Sequence, residues 1–165
     1  MTLRATIQKI LIHDEGFKSK VYQDSRGYWT IGVGHNLGKK LESITLSNQI
    51  VLAILAEDVR IATESLYSIF SESEIANWKP ARRDALISLM FNVGEMGFRT
   101  FVKMIRAIKA SDWELAAKEL ADSRWAGQVD PRNLAGEGRD DRLVYMLKSG
   151  DYHEAYSISR IDTLL

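Results

Sequence analysis

The chain has 165 residues, 45% of them hydrophobic and 27% charged, enough for one ordinary soluble domain with its own core. It has no cysteine, which excludes disulfides and Cys-based zinc sites and leaves the compartment open. Lys+Arg and Asp+Glu both total 22, so net charge selects no partner. The distribution is uneven: an acidic stretch over 51–75 separates two mildly basic ends. One acidic helix face accounts for this more simply than two basic walls facing an anionic polymer. No basic stripe with interleaved aromatics occurs, so nucleic acid is not an expected partner. No signal-peptide pattern opens the chain and no apolar run is long enough to cross a bilayer, so no membrane anchor is expected.

Leu3, Ile7, Ile10 and Leu11 recur at helical spacing and predict an amphipathic helix over 3–14, closed by Gly16. Val21-Tyr22 and Tyr28 to Val33 are rich in β formers, and Asp24-Ser25-Arg26-Gly27 between them is a turn signal, so a β-hairpin is expected. On its second strand Trp29, Ile31, Val33 and His35 would share one face, and Tyr28, Thr30, Gly32 and Gly34 the other. A face with two glycines admits close approach of another group. After a loop over 36–44, Thr45 caps a helix from about 46 to 68 with Ile50, Val51, Ile54, Leu55, Val59, Ala62 and Leu66 as its apolar stripe.

Short helices follow. Pro80 starts one that carries Ala85, Leu86, Leu89, Met90 and Val93 and ends at Gly94. Phe98, Phe101, Val102 and Ile105 mark the next, and Ser111 to Glu114 reads as a capping box for a helix carrying Leu115, Ala116 and Leu120. Leu143 and Met146-Leu147 precede Gly150, and Asp151 to Glu154 offers a second capping box. With no repeats and no linkers, the expectation is a single α+β domain over 1–165. A small β-hairpin lobe at about 12–60 is joined by the long helix to a larger all-α lobe at about 61–165, which also takes back the N-terminal helix.

Three polar residues stand in a suggestive order. Glu15 falls at the end of the first helix. Helix C-termini carry partial negative charge, a setting in which a carboxyl keeps its proton and can deliver it. Asp24 fits either of two roles, a turn residue or a second carboxylate. Thr30 is at home on a strand and also has a hydroxyl to offer. A helix-end Glu followed by a hairpin with Asp at its mouth and Thr on its open face can set two carboxylates across one site, as glycoside hydrolysis requires. His13, His35 and His153 lack metal-ligand spacing, so no metal and no cofactor are expected. Gly32-Val33-Gly34 is rejected as a phosphate loop because the glycines continue a strand. Trp29, Trp78, Trp113 and Trp125 read as core or interface residues before sugar platforms.

The run His13-Asp14-Glu15-Gly16-Phe17, followed by Tyr22-Gln23-Asp24 and by Gly27-Tyr28-Trp29-Thr30-Ile31-Gly32-Val33-Gly34-His35, closely resembles the signature of the tailed-phage lysozymes, glycoside hydrolase family 24. The likeness continues through Ala85 to Glu95, Ser123-Arg124-Trp125 and Arg142, and is strongest to the two-lobed members without a membrane-anchoring leader. The chain departs from them in a shorter segment after His35, in Asn36 where Leu is common, and over Pro131 to Gly138.

The resemblance implies a lysozyme-like fold and roles for single residues. Glu15 would be the general acid, Asp24 the second carboxylate, and Thr30 a holder of the attacking water. His35 would pair with Asp58, and Asp14 with Arg142. Arg139 would hold Glu15, while Phe91, Asn92 and Asn36 would contact the glycan. The implied activity is that of an endolysin cutting the β-1,4 bond between N-acetylmuramic acid and N-acetylglucosamine; Thr30 beside Asp24 can orient one water on the face opposite Glu15, so inversion of the anomeric centre is expected. It would be a monomer made in the host cytoplasm that reaches periplasmic peptidoglycan once a holin permeabilises the inner membrane. The competing readings are a lytic transglycosylase, which needs no water-activating carboxylate, and a non-catalytic glycan-binding virion module, which would tolerate loss of Glu15 or Asp24.

Overall fold

The computed structural model describes residues 3–39, 46–129 and 138–157. Their α+β arrangement combines a small three-stranded antiparallel sheet with a larger set of helices. Two compact units are distinguished: one holds the N-terminal stretch to Ile61 together with Tyr156, the other Ala62–Ala155. Helix α1 (Leu3–Glu15) groups with the sheet and not, as expected from the sequence, with the helical part.

In the first unit, α1 presents Ile7, Ile10 and Leu11, all at most 1% exposed. It ends as expected: Gly16 takes φ 77° and its N–H returns to the Ile12 carbonyl at 3.0 Å. Strands β1 (Lys18–Gln23), β2 (Trp29–Gly32) and β3 (His35–Gly38) form a meander in that order. The expected two-stranded hairpin is thus incomplete. Gly32 and Gly34 adopt φ 68° and 81°, conformations open to glycine, and turn the chain between β2 and β3. His35 therefore starts a third strand and reaches the face of Ile31 by pairing across from it, without lying further along the same strand. The ground for rejecting a phosphate loop changes accordingly, since these glycines make a turn.

Helix α2 (Asn48–Tyr67) buries Val51, Leu55, Val59, Ala62 and Leu66 and leaves Ile50 exposed, outside the stripe assigned to it. The boundary between the units falls within this helix, at Ile61/Ala62. The expected cap, Thr45, lies outside the described residues. Ser47 Oγ accepts from Ile50 N–H at 3.4 Å at the helix start.

The second unit holds α3 (Glu72–Ala76), α4 (Pro80–Arg99), α5 (Val102–Lys109), α6 (Trp113–Ala121), α7 (Arg124–Val129) and α8 (Arg139–Ser149). Helix α3 was not foreseen, although Ser71 and Glu74 form a full capping box. Helix α4 has Pro80 in its first turn and is interrupted at Gly94 (φ 70°, ψ 170°), the expected break point. At α6 the cap is Asp112, whose side chain accepts from Leu115 N–H at 3.0 Å. Ser111, the expected cap, instead takes φ 58°. Gly150 closes α8 in the left-handed conformation. Asp151 does not cap the short 3-10 turn Glu154–Ser157; it lies 3.5 Å from Lys79 Nζ, and Ala155 N–H meets His153 Nδ1 at 3.2 Å. Phe70, Trp78 and Trp113 interlock edge to face at 5.0 and 5.4 Å over a core that includes Leu86, Phe98, Leu120 and Leu143.

One charge sits inside that core. Asp84 is 0% exposed; Tyr152 Oη donates to it at 2.7 Å and Arg83 at 3.2 Å. Burial raises the Asp84 pKa above its usual value even against these donors. A raised folded value makes stability fall as pH rises from the unfolded pKa of about 3.9 through the folded one. Replacing Tyr152 by Phe removes a donor to the ionised form. Unfolding by denaturant at neutral pH should show a loss of about 1.5 kcal/mol, the low end of the ~1.5–3 kcal/mol for bonds to charged groups because Tyr152 is partly exposed. The loss should shrink in acid, where Asp84 is protonated. An equal loss at both pH values would show that the carboxylate is not the partner that matters.

Candidate active site

The first unit gathers Asp14, Glu15, Asp24, Thr30, His35, Asn36 and Asp58. Glu15 is the last residue of α1 and is half-buried. Its carboxyl packs against the β2–β3 turn: a Cβ built on Gly34 would stand 3.7 Å from the Glu15 carboxyl carbon. The glycines thus serve as the close-approach points expected, with Glu15 over Gly34 and Val51 against Gly32, where a Cβ would meet Val51 Cγ1 at 3.0 Å.

Asp24 performs the turn role in full. Its Oδ1 accepts from the N–H groups of Arg26 and Tyr28, both at 2.9 Å, while the Asp24 and Tyr28 backbones close the hairpin at 2.9 Å. Its second oxygen, Oδ2, is 3.6 Å from the exposed Arg26 guanidinium. The Tyr28 N–H, then the Arg26 N–H and charge, hold the Asp24 pKa below the ordinary carboxylate range, so it is ionised throughout the neutral region. The turn function and an ionised, outward oxygen therefore coexist in one side chain.

Thr30, 4% exposed, donates from Oγ1 to the Tyr28 carbonyl at 3.2 Å. With its proton so used, the hydroxyl meets a further partner as an acceptor. Thr30 pairs with Tyr22 on β1 and with Asn36 on β3. Asn36 is exposed and its Oδ1 accepts from Gly38 N–H at 2.7 Å. His35 Nδ1 meets Asp58 Oδ2 at 2.9 Å, as the resemblance implied. Asp14 accepts from the buried Tyr156 hydroxyl at 3.0 Å, and Tyr156 also packs edge-on against His13 at 5.2 Å. No local pattern signals that Tyr156 partnership, because the two residues are 142 positions apart.

Phe91, Asn92, Arg139 and Arg142 belong to the second unit. Trp125 Nε1–H donates to Asn92 Oδ1 at 2.7 Å, fixing the amide. Trp125 is buried, and with Phe101, Ser123, Arg124 and Gln128 it borders a cavity of about 590 Å³. In the sequence, Ser123-Arg124-Trp125 carry part of the resemblance but no assigned task. Arg139 opens α8, and Arg142 is one turn on. Residues 130–137, which take in all of the stretch Pro131 to Gly138 but its last residue, lie outside the described residues.

The profile of the family described as phage lysozyme matches residues 13–139, spanning α1, the sheet, α2 and the helices up to α8. The chain belongs to the phage lysozyme family. It is 27% identical to a protein of Dictyostelium discoideum described as probable T4-type lysozyme 1, over 88% of this chain and 95% of that protein. It is 30% identical to the endolysin of Salmonella phage P22, over 82% and 92%. It is also 30% identical to the pre-baseplate central spike protein Gp5 of Enterobacteria phage T4, over 93% of this chain but only 29% of Gp5. As a family member the chain is a lysozyme-type peptidoglycan hydrolase, and no helix among the described residues is long and apolar enough to cross a membrane.

Proposed function

We propose that the chain is a muramidase that hydrolyses the β-1,4 bond between N-acetylmuramic acid and N-acetylglucosamine with inversion, as one lysozyme domain acting in host lysis. Glu15 protonates the leaving oxygen. Asp24 and Thr30 each accept a hydrogen bond from one water and so aim its lone pair at the anomeric carbon, and the Asp24 carboxylate takes the proton that the water loses on attack. The observation that carries this reading is the state of Asp24: ionised, and pinned through Oδ1 by two backbone donors. A carboxylate so tethered suits holding a water better than swinging in to attack the sugar itself, as a retaining mechanism requires. His35 with Asp58, and Asp14 with Arg142, support the frame of the site, and Arg139 steadies Glu15. Phe91, Asn92 and Asn36 contact the glycan.

The test is product analysis on purified peptidoglycan and soluble muropeptide oligomers. Reducing muramic ends, α-configured by NMR before mutarotation, are expected. A β-configured end would mean retention, and 1,6-anhydro ends would mean transglycosylation. In cells, turbidity should fall only when the membranes are permeabilised, in keeping with release through a holin. The likeness to Gp5 supports a second reading, a lysozyme module carried in the virion, and mass spectrometry of purified particles distinguishes the two.

A further inference from the structure

Tyr22 belongs to the signature run yet has no task in the reaction above. It sits opposite Thr30 in the β1–β2 register and two residues before Asp24, so cross-strand pairing and strand alternation place Tyr22, Asp24 and Thr30 on one face of the sheet. Two residues along β2 from Thr30, at Gly32, begins the turn whose Gly34 lies beneath the Glu15 carboxyl. The Tyr22 ring is half-buried and steadied from one side by Lys18, whose Nζ stands 3.9 Å from the ring centroid. Its hydroxyl makes no hydrogen bond among the described residues. Burial first, then the nearness of Glu15 and Asp24 in that order, raises its pKa above the usual 10, so the phenol keeps its proton wherever the enzyme works. A neutral donor without a bond, beside two carboxylates, is a group held for a partner that appears during the reaction.

We propose that Tyr22 is a fourth catalytic group, whose hydroxyl donates a hydrogen bond to the carboxylate formed when Glu15 releases its proton. The proposal rests on Glu15 being the general acid. While Glu15 is protonated it attracts the phenol weakly. As the proton passes to the glycosidic oxygen, negative charge develops on the Glu15 oxygens and the hydroxyl turns to it, so the bond strengthens in the transition state and adds nothing to substrate binding. Lys18 fixes the ring from which the hydroxyl swings, and acts as a positioning residue.

Tyr22→Phe keeps the ring and its contact with Lys18 and removes only the donor. Steady-state kinetics on a soluble muropeptide oligomer should show kcat reduced roughly 10- to 100-fold with KM within about twofold, the pattern of an interaction made only in the transition state. Melting temperature and circular dichroism should match wild type. Wild-type kcat in the folded variant overturns the proposal, as does a loss confined to KM, which would make Tyr22 a simple glycan contact. Glu15→Gln run alongside separates the two levels. If it retains activity, the acid assignment itself has failed; if it is inactive while Tyr22→Phe is normal, only the role of Tyr22 is lost. Should Tyr22→Phe fold poorly, Lys18→Met decides the matter, because it leaves the hydroxyl but frees the ring. A kcat lower by about twofold to fivefold supports the proposal, and no change refutes it.

Discussion

Glu15→Gln should abolish lysis and leave the fold intact. The amide has the shape of the protonated acid but no transferable proton, and general acid catalysis alone contributes about 10²–10⁴-fold. The surroundings predict a clean separation of activity from stability. Glu15 ends α1 just before Gly16, whose left-handed cap bond runs from its own N–H to the Ile12 carbonyl and does not involve the Glu15 side chain. The Glu15 carboxyl rests over Gly34 at ordinary contact distance, where an amide also fits. Release of soluble fragments from dye-labelled peptidoglycan, with the melting temperature of both proteins, measures the two quantities together. Retention of more than a tenth of the wild-type rate by a folded variant would remove Glu15 from the chemistry.

The order Glu15, Asp24, Thr30 was legible in the sequence because each residue sits at a punctuation mark that local chemistry writes plainly: a helix end before Gly16, a turn opened by Asp24 and closed by Gly27, and a β-branched residue in the strand beyond. The apolar stripe of α2 and the break at Gly94 were legible for the same reason. What failed was the reading of Gly32-Val33-Gly34. Alternation continues through these residues, so period alone extends the strand to His35. Only the positive φ of both glycines, which no periodicity reports, turns the chain into β3. At Ser111-Asp112 two capping residues stand side by side and the pattern alone favours the first; the helix starts at Trp113, so the cap one position before it is Asp112.

Long-range polar partners lay beyond reach for a different reason. Asp84 follows two arginines and looks like a solvated helix position, yet it is enclosed and receives Tyr152 from 68 residues away. Asp14 receives Tyr156 in the same fashion. Nothing local marks such pairs, since each depends on which helix face the rest of the fold covers. The His35–Asp58 contact was anticipated only through resemblance, and its geometry depends on the β2–β3 turn that the periodicity reading missed. Tyr22 shows a related limit. Its place in the signature was visible, but its company of Thr30, Asp24 and Glu15 follows from register and from the glycine turn.

Asp24 carries two functions in one side chain, and substitutions should pull them apart. Asp24→Ala removes the oxygen that accepts from Arg26 and Tyr28 N–H, so the hairpin loses its turn bonds and the reaction loses its base. Asp24→Asn keeps an acceptor oxygen for the two backbone donors and gives up only the charge. Both variants should lose about 10²–10⁴-fold in peptidoglycan hydrolysis, the range for a positioned base. Asp24→Ala should lower the melting temperature more than Asp24→Asn, because the amide gives up the charge but keeps the acceptor for the two turn bonds. The sign of the pH dependence follows from the lowered pKa of Asp24. Its ionised form stabilises the fold above the unfolded value of about 3.9, and that contribution is lost as pH falls through the lower folded value. The gap in melting temperature between wild type and Asp24→Ala should therefore be full at neutral pH and narrow below pH about 4. Hydrolysis at the wild-type rate by Asp24→Asn would reduce Asp24 to a turn residue. The attacking water would then have Thr30 alone to orient it, which one acceptor cannot do, since the water's second proton would have no acceptor and its lone pair no fixed direction.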